Sequence, residues 1–351
     1  MIQPKNLLIV RTDRIGDVVL SLPLARIVKK YYPDCKVTLL LKEYTTSLAE
    51  QNTYVDSIIV LKEKGGKILI RKNIDEISKF RFDSTVIVYP TFVTSLIIFL
   101  SRIKYRIGTG YRWYSFLFNH KIYEHRKFAE KHELEFNVNL LKAFGIDENV
   151  NEDNIQFDLK PTIKNKNSID KLFEEEGISS DKPIIIIHPG SGGSAVDWPI
   201  DKFQKLVRII LSKTEATIII TGSRHEEEIC KKLEINNSVR NFAGKFDLAN
   251  LIALIDKADI FISNSTGPIH IAAALGKYTI GFYPRILSCS PKRWGPYTKR
   301  KYIFTPQIGC TKCDRKQCEQ LDCMSSITPE EVFNQLEKAY QLILNNGDFD
   351  V

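Results

Sequence analysis

Residues 7–24, LLIVRTDRIGDVVLSLPL, decide the fold. The four apolar residues 7–10 predict a strand buried on both faces. Arg11 to Gly16 form a short polar loop. Asp17 then opens a helix with Val18, Val19, Leu22 and Ile27 as its inner face. A strand that runs through a short loop into a helix places that loop at the carboxyl edge of a parallel sheet, where α/β proteins bind ligands. A helix N-terminus adds unpaired amides and positive potential, so the loop can also hold an anion. A carboxylate there is either a helix cap or a chemical group, and Asp17 is read as the chemical group.

The alternation continues outward. Further strands are predicted at 37–41, 55–61 and 84–89, separated by helices at 45–51, 70–80 and 92–102. Arg106, Gly108 and Arg112 follow in a basic, aromatic-rich loop, and residues 131–145 predict a helix terminated by Gly145. Residues 146–167 are polar and rich in Asn, Asp and Lys, which predicts a linker and a domain boundary near 160. The second half repeats the pattern, with strands at 184–187, 217–221, 260–263 and 279–283. Helices are expected at 168–176, 201–211, from His225, at 248–256 and at 267–275. Thr328, Pro329 and Glu331 have the elements of a capping box and start a final helix running to about Asn345. Strands alternating with helices predict parallel sheets covered on both faces.

Composition narrows the classes. The 351 residues suit two domains, and 43% hydrophobic with 26% charged content is that of a soluble globular protein. No stretch reaches ~18 continuous apolar residues, so no transmembrane helix is expected. No basic leader with a long apolar core is visible, and a cytoplasmic protein is expected. The net charge of +8 suits an anionic substrate or a membrane surface, or simple solubility. No nucleic-acid module or dense basic run points to DNA or RNA.

Three stretches of the second half each follow a strand and precede a helix. His188-Pro189-Gly190-Ser191-Gly192-Gly193-Ser194 combines glycines that admit a phosphate close to the backbone with serine hydroxyl donors; a flexible turn is the bland alternative. In Gly222-Ser223-Arg224-His225-Glu226, Glu226 can accept from ribose hydroxyls or merely favour a helix start. Ser263-Asn264-Ser265-Thr266-Gly267-Pro268-Ile269-His270 crowds hydroxyls and amides at a helix start, suiting a diphosphate. Thr266 could instead be only an N-cap, and His270 a packed core histidine. Successive loops of one parallel sheet open on one edge, so the three together carry more weight than any one.

RTDRIGDVVLSLP, HPGSGGSAVDWP, the 222–226 stretch, FAGKFDLANL and SNSTGPIHIAAALG occur here in the order seen in glycosyltransferase family 9, which this chain resembles over nearly its whole length. That family contains the ADP-heptose:lipopolysaccharide heptosyltransferases. The resemblance implies an α/β GT-B architecture: two Rossmann-like parallel-sheet domains facing across a cleft, with a C-terminal helix crossing back to the first. Residues 1–160 would form the acceptor-binding domain with the catalytic loop. Residues 161–328 would form the nucleotide-sugar domain, and 329–351 the returning helix. The glycine fingerprint of nicotinamide enzymes is absent.

The resemblance also assigns roles. Asp17 matches the aspartate of the family's GD pair, a general base for inverting transfer; Asp13 is the rival in the same loop. Ser191, Gly192, Gly193, Ser194, Ser265, Thr266 and Gly267 would meet the donor, Glu226 its ribose, and His270 would support the loop. Arg11, Arg14, Arg106 and Arg112 form a candidate anion set for the acceptor, whose carboxylates and phosphates suit arginine forks; solvated surface arginines are the alternative. The implied partners are a nucleotide-sugar donor, an anionic glycolipid acceptor and peripheral contact with the inner membrane. No cofactor is implied for the chemistry. Two departures bear on the donor. Val196 stands where the family usually has a phosphate-contacting lysine, and Ser265 where many heptosyltransferases have an aspartate associated with the donor sugar. A non-catalytic nucleotide-sugar-binding protein, or another GT-B enzyme such as an epimerase, therefore stands beside the heptosyltransferase reading.

Four of the seven cysteines cluster late. Cys310, Cys313, Cys318 and Cys323 have spacing C-x2-C-x4-C-x4-C, which suits a structural zinc or iron, reduced thiols, or disulfides. Their place between the second domain and the last helix points to structure rather than catalysis.

Overall fold

A computed structural model describes residues 2–179, 181–308 and 313–345. The chain divides into two units, Met1–Leu159 and Lys160–Val351. In chain order the strands of the first are β1 (Asn6–Val10), β2 (Lys36–Leu41), β3 (Ser57–Val60), β4 (Glu63–Lys64), β5 (Lys67–Ile68), β6 (Ser84–Ile87), β7 (Tyr105–Thr109) and β8 (His120–Ile122). β4 and β5 form a separate hairpin; the others make one parallel sheet in the order β3-β2-β1-β6-β7-β8. β1 is central because it is apolar on both faces and buried from Leu7 onward. The carboxylate of Asp83 fixes where it starts, accepting from the amides of Lys5 and Asn6 at 2.9 and 2.8 Å. The strand order reverses between β1 and β6, so the loops leaving these two strands border the crevice where such sheets bind ligands.

The helix after β1 is split. Ile15–Val19 and Pro23–Tyr31 are separate helices, because Pro23 has no N–H to continue the first and its fixed φ suits the start of the second. The helix expected at 45–51 is a 3-10 helix, Glu43–Leu48. The one expected at 131–145 is Glu133–Asn139 followed by the 3-10 helix Leu140–Phe144, ended by Gly145 at φ +78°. The supposed loop around Arg106 and Arg112 contains β7 and approaches β8.

The second unit repeats the design with β9 (Ile184–His188), β10 (Thr217–Ile220), β11 (Val239–Asn241), β12 (Ile260–Asn264), β13 (Tyr278–Phe282) and β14 (Lys301–Phe304). Their order, β11-β10-β9-β12-β13-β14, places a second reversal between β9 and β12. The helix expected from His225 is a 3-10 turn, Arg224–Glu226, leading into Glu227–Lys231. The last helix, Pro329–Leu344, starts at the expected Thr328–Glu331 capping box.

The last helix packs on a neighbouring helix of the second unit. Its apolar stripe, Val332, Phe333, Leu336, Ala339 and Tyr340, joins the second unit's core with Phe203, Leu206, Val207 and Ile210 of helix Ile200–Lys213. Two amphipathic stripes on neighbouring helices bury each other. The Tyr340 hydroxyl accepts from the Glu215 amide at 3.2 Å, and the Trp198 indole donates to the Ile327 carbonyl at 3.1 Å.

Candidate functional site

The loop leaving β1 is built on a buried cation. Arg11 follows an entirely apolar strand, its side chain is 1% exposed, and three carboxylates surround it. Its Nε donates to Asp13 Oδ1 at 2.7 Å and its Nη2 to Asp17 Oδ1; Nη1 lies 3.7 Å from Glu133 Oε1. Nη1 also donates to Asn137 Oδ1 at 3.4 Å, while Asn137 Nδ2 donates to the Leu20 carbonyl at 3.1 Å. Helix Glu133–Asn139 therefore buttresses the loop from a distant part of the sequence. Glu133 is also bonded by Arg126. Burial opposes the charge of Arg11, but Asp17, Asp13 and Glu133 together raise its pKa. Burial pushes the Asp13 carboxyl well above the usual range; Arg11 works against the shift and Asp17 adds to it.

Asp17 is not the helix cap. Arg14 occupies that position, and Asp17 lies in the first turn with its carboxylate on Arg11. Tyr89, at the exit of β6, brings its ring to 5.9 Å from the Arg11 guanidinium, so both loops of the reversal meet here.

The four arginines expected to bind the acceptor part company. Arg11 is enclosed with the carboxylates. Arg106 is half-buried, with Nε on the Leu117 carbonyl at 2.8 Å and Nη1 on the Ile103 carbonyl at 2.6 Å, so it ties the chain around β7. Arg14 and Arg112 are exposed.

In the second unit the expected donor loops converge. Glu226 Oε1 accepts from the Gly192 amide at 3.2 Å, and Oε2 accepts from the amide and hydroxyl of Ser223 at 2.8 and 2.7 Å. Burial opposes ionisation of Glu226, but the Ser223 donors, His188 and the Gly192 amide hold its pKa below the ordinary value. A Cβ on Gly190 would stand 1.8 Å from Glu226 Oε1, so only glycine permits this approach. Gly192 and Gly193 have φ of +56° and +76°.

Sequence reasoning assigned no role to Asn264 or Arg315, and both hold this loop. Asn264, the last residue of β12, accepts from the Trp198 amide at 2.8 Å and donates to the Pro189 carbonyl at 2.5 Å, bracketing both ends of the loop. Arg315 Nη2 donates to the carbonyls of Gly193 and Ala195, each at 2.9 Å. Asn264 stands inside the quoted SNSTGPIHIAAALG stretch; no spacing in the sequence marks Arg315.

Ser265 to Gly267 leave β12 beside this loop. Thr266 precedes helix Gly267–Ala274 without making a side-chain cap, so its hydroxyl is not spent on the helix. His270 is buried; Nδ1 has no hydrogen-bond partner among the described residues, and burial pushes its pKa down to about 4. It is neutral near pH 7.

The cysteine segment lies behind the same loop. Cys318 and Cys323 are buried with Ile286, and Val196, Cys289, Ile308 and Cys313 pack around them. Cys289 Sγ contacts the Ser194 carbonyl at 3.5 Å. Val196 thus has an apolar setting where a lysine would be costly to bury. Cys310 lies outside the described residues. Among the described residues no three His, Cys, Asp or Glu side chains form a group able to hold a metal.

Comparison with known proteins bears on both sites. A model described as glycosyltransferase family 9 (heptosyltransferase) matches residues 70–323. A Haemophilus influenzae protein described as a candidate glycosyltransferase is 30% identical over 322 residues, 87% of this chain and 90% of its own. Lipooligosaccharide heptosyltransferase 2 of Campylobacter jejuni is 24% identical over 346 residues, 95% of this chain and 96% of its own. The structure of Escherichia coli ADP-heptose lps heptosyltransferase II superposes with a TM-score of 0.79 at 20% identity, covering 97% of this chain and 99% of that one; at this identity the likeness is one of fold.

Proposed function

The chain belongs to glycosyltransferase family 9, the heptosyltransferase family, and from that premise we propose that it transfers a heptose or related sugar from a nucleotide-sugar donor, ADP-heptose first among them, to an inner-core lipopolysaccharide or related glycan. The reaction in this reading is a single displacement that inverts the anomeric centre. Asp17 takes the proton of the acceptor hydroxyl as that oxygen bonds to the anomeric carbon, and the bond to the nucleotide diphosphate breaks through an oxocarbenium-like state. The family match begins at residue 70, beyond Asp17. What supports the assignment is the Arg11 clamp, which fixes Asp17 Oδ1 against a buried cation. Asp13 shares that cation and is the alternative base.

The leaving diphosphate needs preorganised donors. In the second unit Ser191, Gly192, Gly193, Ser194, Ser265, Thr266 and Gly267 would supply amides and hydroxyls, with the positive end of helix Gly267–Ala274 behind them. Glu226 would meet the ribose while holding the Gly192 amide, and His270 would support the loop. Arg315 would contribute the positive charge that Val196 does not. Arg14 and Arg112 would bind acceptor anions. The chemistry in this reading needs no metal, and its place is the cytoplasmic face of the inner membrane.

A transfer assay on Asp17→Asn, with a thermal-shift panel of nucleotides run in parallel, tests the reading. The expected result is a loss of transfer of ~100-fold or more with nucleotide binding retained. Near-normal turnover removes Asp17 from the mechanism. Nucleotide binding without turnover from any donor turns the reading toward a binding protein, and release of free or epimerised sugar without acceptor turns it toward an epimerase.

A further inference from the structure

Half of the exposed large apolar and aromatic side chains among the described residues lie between Tyr89 and Phe128 in the first unit. They come from distinct elements. Phe92 opens helix Phe92–Leu100 after β6, Tyr111 and Trp113 follow β7, and Tyr123 and Phe128 follow β8. Trp113 is 72% exposed and Tyr123 61%. Their rings still touch. Phe92 stacks on Trp113 with centroids 4.9 Å apart, Tyr111 meets Tyr123 at 5.5 Å and His125 at 3.8 Å, and His125 meets Phe128 at 5.6 Å. The rings thus form two contacting groups on neighbouring loops of one sheet edge and not scattered exposure.

Charge says what covers it. Between Arg102 and Lys131 the chain carries eight Arg and Lys against only Glu124 and Glu130. Glu124 is itself paired with Lys131 at 2.6 Å. Lys121 and Lys127 are exposed, and the Lys127 ammonium lies 4.8 Å from the centroid of the Phe128 ring. The centre of a protein interface is depleted in lysine, whereas here cations are interleaved with the rings. Trp and Tyr beside Lys and Arg is the composition that settles at a bilayer boundary, with rings at the headgroup level and cations drawn to anionic lipid.

We propose that the Phe92–Trp113–Tyr111–Phe128 surface seats the first unit on an anionic phospholipid bilayer. β6, β7 and β8 run parallel to β1, so these rings follow the same carboxyl sheet edge as Asp13 and Asp17. Seating this edge on the bilayer brings the carboxylates toward a lipid-anchored acceptor; that consequence rests on the proposed function, while bilayer binding itself does not.

The test is flotation of the full chain with vesicles of phosphatidylcholine alone and of phosphatidylcholine mixed with phosphatidylglycerol. Binding to the mixed vesicles is expected, at least ~10-fold stronger than to phosphatidylcholine and weakening with added salt. Trp113→Ala with Phe128→Ala, and separately Lys121→Glu with Lys127→Glu, are each expected to weaken it about tenfold or more, with unchanged thermal melts because all four side chains are exposed. No binding to the mixed vesicles overturns the proposal, as does equal binding by the wild type and both variants. Vesicle binding without sugar transfer leaves this surface standing and counts against the proposed function. Transfer to a soluble acceptor without vesicle binding does the reverse.

Discussion

Arg11 continues a strand that has no polar residue after Asn6, so its stem is buried with β1 and its guanidinium must find its countercharges inside the protein. It finds Asp13 and Asp17 nearby in sequence and Glu133 far away. Arg11→Ala would leave those carboxylates with no central cation. The expected cost is about 3–5 kcal/mol in urea unfolding, the scale for removing one partner of a buried ion pair. A loss below ~1 kcal/mol would show that the carboxylates do not depend on it. Arg11→Lys should recover part of the stability and little of the transfer, because a single ammonium cannot present the Nε and Nη2 donors that reach Asp13 and Asp17 together. The stretch RTDRIGD displays Arg11, Asp13 and Asp17 in the sequence. Nothing there shows that the arginine faces inward, since Glu133 and Asn137, which meet it there, lie in a distant part of the chain.

At the scale of elements, the glycine-rich loop after β9 is held by three neighbours: Glu226 from the β10 exit, Asn264 from β12 and Arg315 from the late segment. Gly190→Ala drives a methyl group into the Glu226 carboxylate, so that side chain must leave its place on the Gly192 amide. Binding of a nucleoside diphosphate, measured by calorimetry, is expected to weaken ~10-fold or more, about 1.4 kcal/mol or more at 25 °C. Unchanged affinity would separate this contact from the donor site. The long apolar strands and the capped final helix were legible as elements. β8, β11 and β14 were not, because each is a sheet edge with one strand neighbour and mixed polarity. The 3-10 turns at Glu43–Leu48 and Leu140–Phe144 carry apolar spacing close to that of α-helices, so periodicity alone misnames them.

At the scale of the whole molecule, buried histidines make stability depend on pH. His270 has a pKa of about 4 in the folded protein, below the ~6.5 of an unfolded chain. Between those values the unfolded state binds the extra proton, so stability falls as pH drops from ~6.5 toward ~4. The share of His270 is about 3 kcal/mol across that window. Burial lowers His188 as well, with Glu226 opposing, so it adds a slope of the same sign. His270→Gln should flatten the acid limb of denaturant-derived stability without abolishing it. An unchanged slope would mean that His270 is protonated in the folded state.

Local order was the sequence's to determine. A buried strand, a polar loop and a helix start are set by neighbours a few residues apart, through burial, backbone freedom and hydrogen bonding, and so are the glycine loops and the cap at Thr328. Tertiary structure decided which of these groups meet. It turned Arg11 from an outward anion binder into the cation between Asp13, Asp17 and Glu133. It also put Arg315 and the cysteine segment behind the Gly190–Asp197 loop and packed the final helix on Ile200–Lys213. Those outcomes depend on packing and charge between segments more than 100 residues apart, and that information lies in no local stretch of the chain.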